Sequence, residues 1–404
     1  MNSKYDIIII GGGAAGFFTA INIVEKNPNL KVAILERGKS VLEKVRISGG
    51  GRCNVTHACF VPNDLVKFYP RGERELKGPF NQFCSGDTIE WFEKHGVELK
   101  IEEDGRMFPV SNSSQTIIDC FQEAVKKLKI DVLTNHSVQE LYKTETHWKV
   151  TTTQEVFTCE KIVMASGSNP KMWELLQNLG HSVIEPVPSL FTFNIKDPRI
   201  KDLMGLSAVA SVKVKKSKLE ASGPLLITHW GMSGPGILRL SAWGARELAD
   251  KKYQFAIQVN WLNETTFEEA LDLLKDIKEE NAKKLVSKYA HFELPKRLWE
   301  NLVKAAGILE ETKWADINKK QLNSLIEQLT NGEFHVNGKS TFKEEFVTAG
   351  GIDLKEVNFK TMESKILPNV YFAGEILNID AITGGFNFQN AWTGGFIVAE
   401  NVVK

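Results

Sequence analysis

The stretch Tyr5-Asp-Ile-Ile-Ile-Ile-Gly11-Gly-Gly13-Ala14-Ala15-Gly16, with Lys31-Val-Ala-Ile-Leu35-Glu36 following it, decides the fold. Four consecutive isoleucines suit a strand buried on both faces. Gly11 to Gly16 is a turn, and Ala14 to Glu25 reads as a helix broken by Pro28 and Asn29. Lys31 to Leu35 is a second buried strand, so the first 36 residues form a βαβ unit. Each glycine has a task. Gly11 permits the tight turn, Gly13 lets a pyrophosphate approach the backbone, and Gly16 lets helix and sheet pack closely. The helix N-terminus points unpaired N–H groups and a partial positive charge at the phosphates. Glu36, twenty residues after Gly16, suits the ribose hydroxyls of an adenosine. A bound dinucleotide is the expectation.

FAD and NAD share this fingerprint, and two further stretches separate them. Arg46-Ile-Ser48-Gly49-Gly-Gly51-Arg52-Cys53-Asn54 is a glycine loop that lets the backbone run against a large flat ligand. Ser48 and Asn54 can hydrogen-bond that ligand, while Arg46 and Arg52 can meet phosphates or a substrate anion. Near the other terminus a strand from Val370 to Ala373 ends in Gly374-Glu375, a carboxylate suited to ribityl hydroxyls. Thr383-Gly-Gly385-Phe386-Asn387 then opens an apolar helix through Glu400. The dipole of that helix, aimed at a flavin ring, would stabilise the ring's anionic reduced form. A nicotinamide enzyme needs no such second clamp. FAD is the expected cofactor.

Between these ends the texture changes. Asp87–Lys94 and Thr116–Leu128 read as helices. Val132–Thr134, Val138–Tyr142, Trp148–Thr152, Val156–Cys159 and Lys161–Ala165 read as short strands, the last running into Ser166-Gly167. The expected architecture is α/β. A discontinuous Rossmann-type FAD-binding domain (1–188 and 348–404) is interrupted by a β-rich insert (189–261) and a helical insert (262–335), with residues 336–347 returning through the β-rich part. A helix is expected over Gly236–Leu248, and Pro295 marks another helix start.

Fifty Lys+Arg balance fifty Asp+Glu in 404 residues, with 42% apolar residues, as in an ordinary globular protein. The balance lacks the footprint of a nucleic-acid binder, so none is expected as a partner. Five cysteines without a C-x-x-C argue against a disulfide framework or a metal site. No apolar run approaches the length of a membrane span and no secretory leader is evident, so a cytoplasmic protein is expected. The oligomeric state is not legible.

The motifs GGGAAG, ERG, RISGGGRCNVT, GRMFP, THWGMSGP, TAGGI and YFAGEILNIDAITGGFNFQNAWTGG are spread along nearly the whole chain. Together they resemble the three-domain bacterial FAD-binding flavoproteins of the BaiN-like or aminoacetone-oxidase type, which are NAD(P)/FAD-dependent oxidoreductases. The resemblance implies an FAD-binding Rossmann-type domain interrupted by a β-barrel-like domain and a small helical domain. It implies FAD contacts at Gly11, Gly13, Ala15, Gly16, Glu36, Arg37, Ser48, Gly49, Arg52, Cys53 and Asn54, with Val138 near the adenine. Gly167, Gly374, Glu375, Asp380, Gly385 and Asn387 complete that set. Ala14, Arg46, Gly51 and Phe386, inside the same motifs, and Ala165, at the end of the strand that runs into Gly167, are further candidates. The chain departs from the family pattern at His57 (Asn in the pattern), Ala381 (Gly) and Phe386 (Tyr).

A flavin performs the redox step, and the protein orients substrate and supplies protons. His229, in Thr228-His-Trp-Gly-Met-Ser233, is the candidate general acid or base, with a loop-bracing role as the alternative. Cys53 lacks the second cysteine after four residues that a dithiol mechanism needs. Arg106 can bind a substrate carboxylate or brace a turn. Lys213, Lys215, Lys216 and Lys218 read as a solvated edge strand. The expected activity is NAD(P)H-linked reduction of an activated C=C bond in a small or medium organic substrate. NAD(P)H would be a transient donor, because no second G-x-G-x-x-G occurs. Amine oxidation with O₂ is the alternative, and a tRNA-modifying flavoprotein is disfavoured by the zero net charge.

Overall fold

The computed structural model describes residues 3–340 and 347–404 and divides into two compact units. The first comprises Met1–Val187 with Lys343–Lys404, the second Pro188–Phe342. Residues 341–346 of the expected return segment lie outside the described residues.

In the first unit β1 (Ser3–Ile10), α1 (Ala14–Lys26) and β2 (Val32–Leu35) form the expected βαβ unit. Parallel strands run in the order Val370–Phe372, Val156–Met164, β1, β2, Asp131–Leu133. Register places Ile10 opposite both Leu35 and Met164, Leu35 opposite Leu133, and Met164 opposite Phe372. The five strands therefore end level, and Gly11, Glu36, Thr134, Ala165 and Ala373 follow along one carboxyl edge. In open α/β sheets ligands bind along that edge. The hairpin Val138–Lys143/Trp148–Thr152 adds antiparallel strands beside the first half of Val156–Met164.

Both faces of β1 are buried, as are nearly all sides of α1, because the C-terminal helix (Phe386–Val402) packs against it. Gly395 makes this approach possible, since a Cβ there would stand 2.7 Å from Thr19 Oγ1. Around the pair Phe18, Trp91, Phe121 and Trp392 form an aromatic cluster with ring centroids 4.6 to 5.8 Å apart. Such contacts add to the stabilisation from burial alone.

Four sequence expectations change. The helix expected over Gly236–Leu248 is two, Pro235–Trp243 and Ala245–Asp250, meeting at Gly244. Val156–Cys159 and Lys161–Ala165 are one strand, Val156–Met164, paired with β1 along its length. Its charged centre, Glu160-Lys161, reads locally as a break, but parallel pairing carries the backbone through it. Helix Pro170–Asn178 was not anticipated, although Asn169, whose side chain accepts from Lys171 N, followed by Pro170 is a strong start signal. The lysine-rich strand is not an edge: Ser207–Val214 pairs with Glu220–Ile227 on one side and Gln254–Asn260 on the other. Lys215 to Lys218 lie in the turn beyond it.

The second unit is a seven-stranded antiparallel sheet with helices packed on it. Its pairing order starts at Gly332–Asn337 and ends at Lys339–Ser340, and among the described residues no pairing closes it into a barrel. The stretch expected to be helical holds three helices, Phe267–Glu280, Lys296–Ala305 and Lys319–Thr330, the first and last opened by capping boxes. Strand residues such as Val212, Ile257 and Phe334 share one core with Leu274, Trp299 and Leu325 of those helices. Among the described residues no helix is long and apolar enough to cross a membrane, and no cluster could hold a metal ion.

Candidate functional site

The carboxyl edge of the first unit's sheet is shaped by its glycines. Gly11 has φ +121°, and a Cβ there would lie 2.3 Å from the carbonyl oxygen of Ala165. A Cβ on Gly16 would lie 2.0 Å from Gly11 O, so α1 can start here only without one. Gly13 differs: no heavy atom lies within 4 Å of its Cβ position, and as the N-cap of α1 it provides no side-chain cap. The N-terminus of α1, opened by Gly13 ahead of Ala14 and Ala15, is thus uncapped beside open space, which fits a pyrophosphate.

Glu36 is held by both carboxylate oxygens: Gly12 N donates to Oε2 at 2.9 Å and Gly38 N to Oε1 at 2.7 Å. A carboxylate offers about four lone-pair sites, so acceptor capacity remains on a group whose orientation is already fixed. Beside it opens a shallow, solvent-open cleft lined by Gly11, Glu36, Arg37, His136, Ser137, Val138, Ser166 and Asn169 among others. Four residues singled out in the sequence, Gly11, Glu36, Arg37 and Val138, meet there. Ser166 Oγ is buried in this wall without a hydrogen-bond partner. An orphaned hydroxyl beside a fixed carboxylate fits a polyhydroxylated ligand. Ala165, just past the end of its strand, donates to Ile10 O at 2.9 Å, and Gly167 turns away with φ +60°.

The glycine loop Arg46–Asn54 turns at Ser48, Gly49 and Gly50, where helical dihedrals stop. Cβ positions at Gly50 and Gly51 meet nothing within 4 Å, leaving that backbone open to a ligand. Ser48 Oγ donates to Val45 O at 2.8 Å. The arginines are engaged within the protein. Arg46 donates to Gln115 Oε1 at 2.8 Å, and Arg52 donates to Glu102 Oε1 at 2.6 Å while lying 3.9 Å above the Phe108 ring. Arg106 meets Asp104 and Glu102, the bracing alternative for that residue.

Cys53 is fully buried, and burial pushes its thiol up to about 12. At neutral pH it is protonated and is no nucleophile. Native protein at pH 8 is therefore expected to leave Cys53 unmodified by iodoacetamide, with labelling appearing on unfolding; mass mapping of the Cys53 peptide checks this. Burial raises Cys120 and Cys159 to about 12 as well, from an ordinary 9.0. Above pH 9 the unfolded chain's thiols ionise while the folded ones stay protonated, so stability falls as pH rises through 9 toward 12. Urea midpoints at pH 8 and 10 should show a smaller drop for Cys120→Ala/Cys159→Ala than for the unmodified chain.

The C-terminal segment closes on the same edge. A Cβ on Gly374 would lie 3.0 Å from Ala15 Cβ, so the two glycine turns touch. Glu375, expected to face ribityl hydroxyls, accepts from Lys44 Nζ at 2.6 Å and from Thr348 N at 3.1 Å. With its amide oriented to satisfy its neighbours, Asn54 accepts from Gly385 N at 3.0 Å and donates to the carbonyls of Thr56 and Met107. Asn387 clamps Ala381 through both its amide atoms, at 3.0 and 3.1 Å. Asp380 is fully buried in a bidentate pair with Arg71. The departures His57 and Phe386 form one contact, their rings stacked 4.6 Å apart. Gln389 takes hydrogen bonds from Thr56 and Thr88 at 2.6 and 2.9 Å, fixing the helix behind this loop.

His229 belongs to the second unit. It is exposed at the tip of the hairpin Glu220–Ile227/Gly231–Ser233 and makes no side-chain hydrogen bond or ion pair among the described residues. The loop is held instead by Thr228, whose N–H donates to Gly231 O at 2.8 Å. Sequence reasoning missed Lys44, Arg71, Gln389 and Ser166. Ser166 and Gln389 lay in stretches already singled out; Lys44 and Arg71 did not.

The HI0933-like protein Rossmann domain family matches residues 5–401. Across 99% of the chain and 98% of the relative, it is 28% identical to a ribosomal RNA dihydrouridine synthase of Escherichia coli. Identity is 24% to a 3-dehydro-bile acid delta(4,6)-reductase of Clostridium scindens, over 96% of the chain and 97% of the relative. The fold is that of 3-ketosteroid-delta4-(5alpha)-dehydrogenase from Rhodococcus jostii, with a TM-score of 0.51 and 13% identity over 100% of this chain and 97% of that one. With a family match along almost its full length, the chain belongs to the HI0933-like family of Rossmann-type FAD-binding flavoproteins and is an FAD-dependent oxidoreductase.

Proposed function

We propose that this oxidoreductase reduces a C=C bond conjugated to a carbonyl, with NADH or NADPH as transient donor. The observation that carries the reading is chemical. A dihydrouridine synthase and a delta(4,6)-reductase, both aligned along nearly the whole chain, each saturate such a bond. Reduction adds a hydride to the carbon β to the carbonyl and a proton to the α carbon. Bound FAD supplies the hydride. Gly11, Gly13 and Gly16 would admit its pyrophosphate, Glu36 and Val138 its adenosine, and the Gly374 and Gly385 turns its flavin end. His229 is the proposed proton donor.

The uracil ring of ribosomal RNA is the substrate reading that the higher identity favours, with a small enone as the alternative. Zero net charge is a property of the whole chain and says nothing about local distribution.

Anaerobic stopped-flow mixing tests the reaction class. NADH or NADPH is expected to bleach the flavin within seconds, and a conjugated enone or a uridine-containing RNA to restore its colour faster than O₂ does. Failure of both donors to bleach it overturns the reading. His229→Gln should keep FAD and donor-driven bleaching but slow substrate-driven recovery at least about a hundredfold. Unchanged recovery removes His229 from the proton transfer.

A further inference from the structure

One end of the second unit's sheet gathers basic side chains around a single short helix. The turn 215–219 packs on helix Ala245–Asp250. A Cβ on Gly244 would meet Leu219 Cδ1 at 2.6 Å and Leu248 Cδ1 at 3.1 Å, and Ser217 Oγ donates to Glu247 at 3.0 Å. The same helix runs directly into Lys251 and Lys252. Lys216, Lys218 and Lys252 are exposed, and none has an ion-pair partner among the described residues.

The preceding helix, Pro235–Trp243, ends at Gly244 and exposes Arg239 and Trp243. Four residues apart, these share one helix face. Trp243 is 45% exposed, an unusual place for an indole. The acidic neighbours are few. Glu247 is taken by Lys251 at 3.1 Å as well as by Ser217, and Asp250 is exposed. Lys215 is paired with Glu333 at 2.6 Å, and Lys213, on the sheet's outer face, stands opposite Glu220 in register. Neither belongs to the patch.

Unpaired cations beside an exposed aromatic ring suit a single-stranded polynucleotide, whose phosphates the cations neutralise and whose bases stack on the ring. We propose that the face formed by Lys216, Lys218, Lys252, Arg239 and Trp243 docks the RNA strand that carries the uracil to be reduced. This rests on the RNA reading of the substrate given above.

The test uses the full-length holoprotein and a fluorescent single-stranded fragment of ribosomal RNA, titrated across about 50 to 200 mM salt. Lys216→Gln/Lys218→Gln/Lys252→Gln should weaken binding at least about tenfold and flatten the slope of log K against log salt by about two. Trp243→Ala should weaken binding about tenfold with the slope unchanged. Unchanged far-UV circular dichroism and urea unfolding midpoints report that each variant is folded. Variants that bind like the unmodified protein overturn the proposal, as does an unmodified protein that does not bind the RNA. Preferential binding to phosphatidylglycerol vesicles, lost in the same variants, also overturns it by identifying a lipid surface as the occupant. Flavin recovery with a small enone is read separately. If recovery fails with the enone and with the uridine-containing RNA alike while RNA binding depends on the patch, the proposed reaction falls and the docking face stands.

Discussion

Gly11→Ala is expected to give a colourless, poorly folded protein, and Gly13→Ala a folded one that no longer retains FAD. The two positions are two residues apart and differ in what surrounds them. At Gly11 a methyl group would meet the Ala165 carbonyl at 2.3 Å and Ser166 Cα at 2.8 Å, on a backbone with φ +121°. Backbone atoms cannot step aside as a flexible side chain does. Relief requires the central strands β1 and Val156–Met164 to separate where they pair, at a cost of about 3 kcal/mol or more. Gly13, with φ −95°, sits in a conformation open to any residue, and its Cβ position touches nothing within 4 Å. A methyl group there fills only open space, the space proposed above for the pyrophosphate. The melting temperature of the Gly13→Ala apoprotein should match that of the unmodified apoprotein. Its FAD affinity should fall about a hundredfold, or about 2.7 kcal/mol. Thermal melts of apoprotein and flavin absorbance after gel filtration measure the two effects. Undiminished FAD affinity in Gly13→Ala would show that the phosphates lie elsewhere.

Asp380→Asn is expected to produce the second large effect. The carboxylate is completely buried and grips Arg71, whose side chain is also largely enclosed. Residues on either side are zipped together as well: Ile382 N donates to Phe68 O at 3.1 Å, and Arg71 and Asp380 form a β-bridge. Removing one charge strands the other in a low-dielectric setting, which costs about 3–5 kcal/mol. The loss should appear as a lower urea midpoint with an unchanged m-value. Because the 380–387 segment leads into the C-terminal helix, FAD retention should fall with it. Arg71→Met combined with Asp380→Leu removes both charges and should recover most of the stability. A loss below about 1 kcal/mol in Asp380→Asn would show that the pair does not anchor this loop.

These two cases mark what could be read from the chain. The Gly11–Gly16 turn, β1, α1, β2 and Glu36 were legible because their contacts are local and their period is strong. The strand Val370–Phe372 and the C-terminal helix were legible for the same reason. Arg71–Asp380 and Lys44–Glu375 were not, since their partners lie 309 and 331 residues apart and no spacing rule links them. The open patch around Trp243 was equally hidden. Its lysines belong to two different turns, and the sequence grouped Lys213 to Lys218 as one strand, although Lys213 and Lys215 have acidic neighbours of their own. His229 was singled out by its setting among glycines, yet the hydrogen bonds of that loop come from Thr228.

The strand Val183–Ser189, which leaves the first unit, pairs with Val347–Ile352, which re-enters it. A Cβ on Gly350 would stand 2.6 Å from Pro186 Cα, so departure and return are neighbours in space. A graft needs little more than that. Residues 188–342 could be excised and a handful of glycines and serines would reconnect the cut ends, or a counterpart from a relative could be spliced in at the same two points. The architecture behaves as a socket, and exchanging what is plugged into it is a direct way to ask which half of the protein chooses the molecule that is reduced.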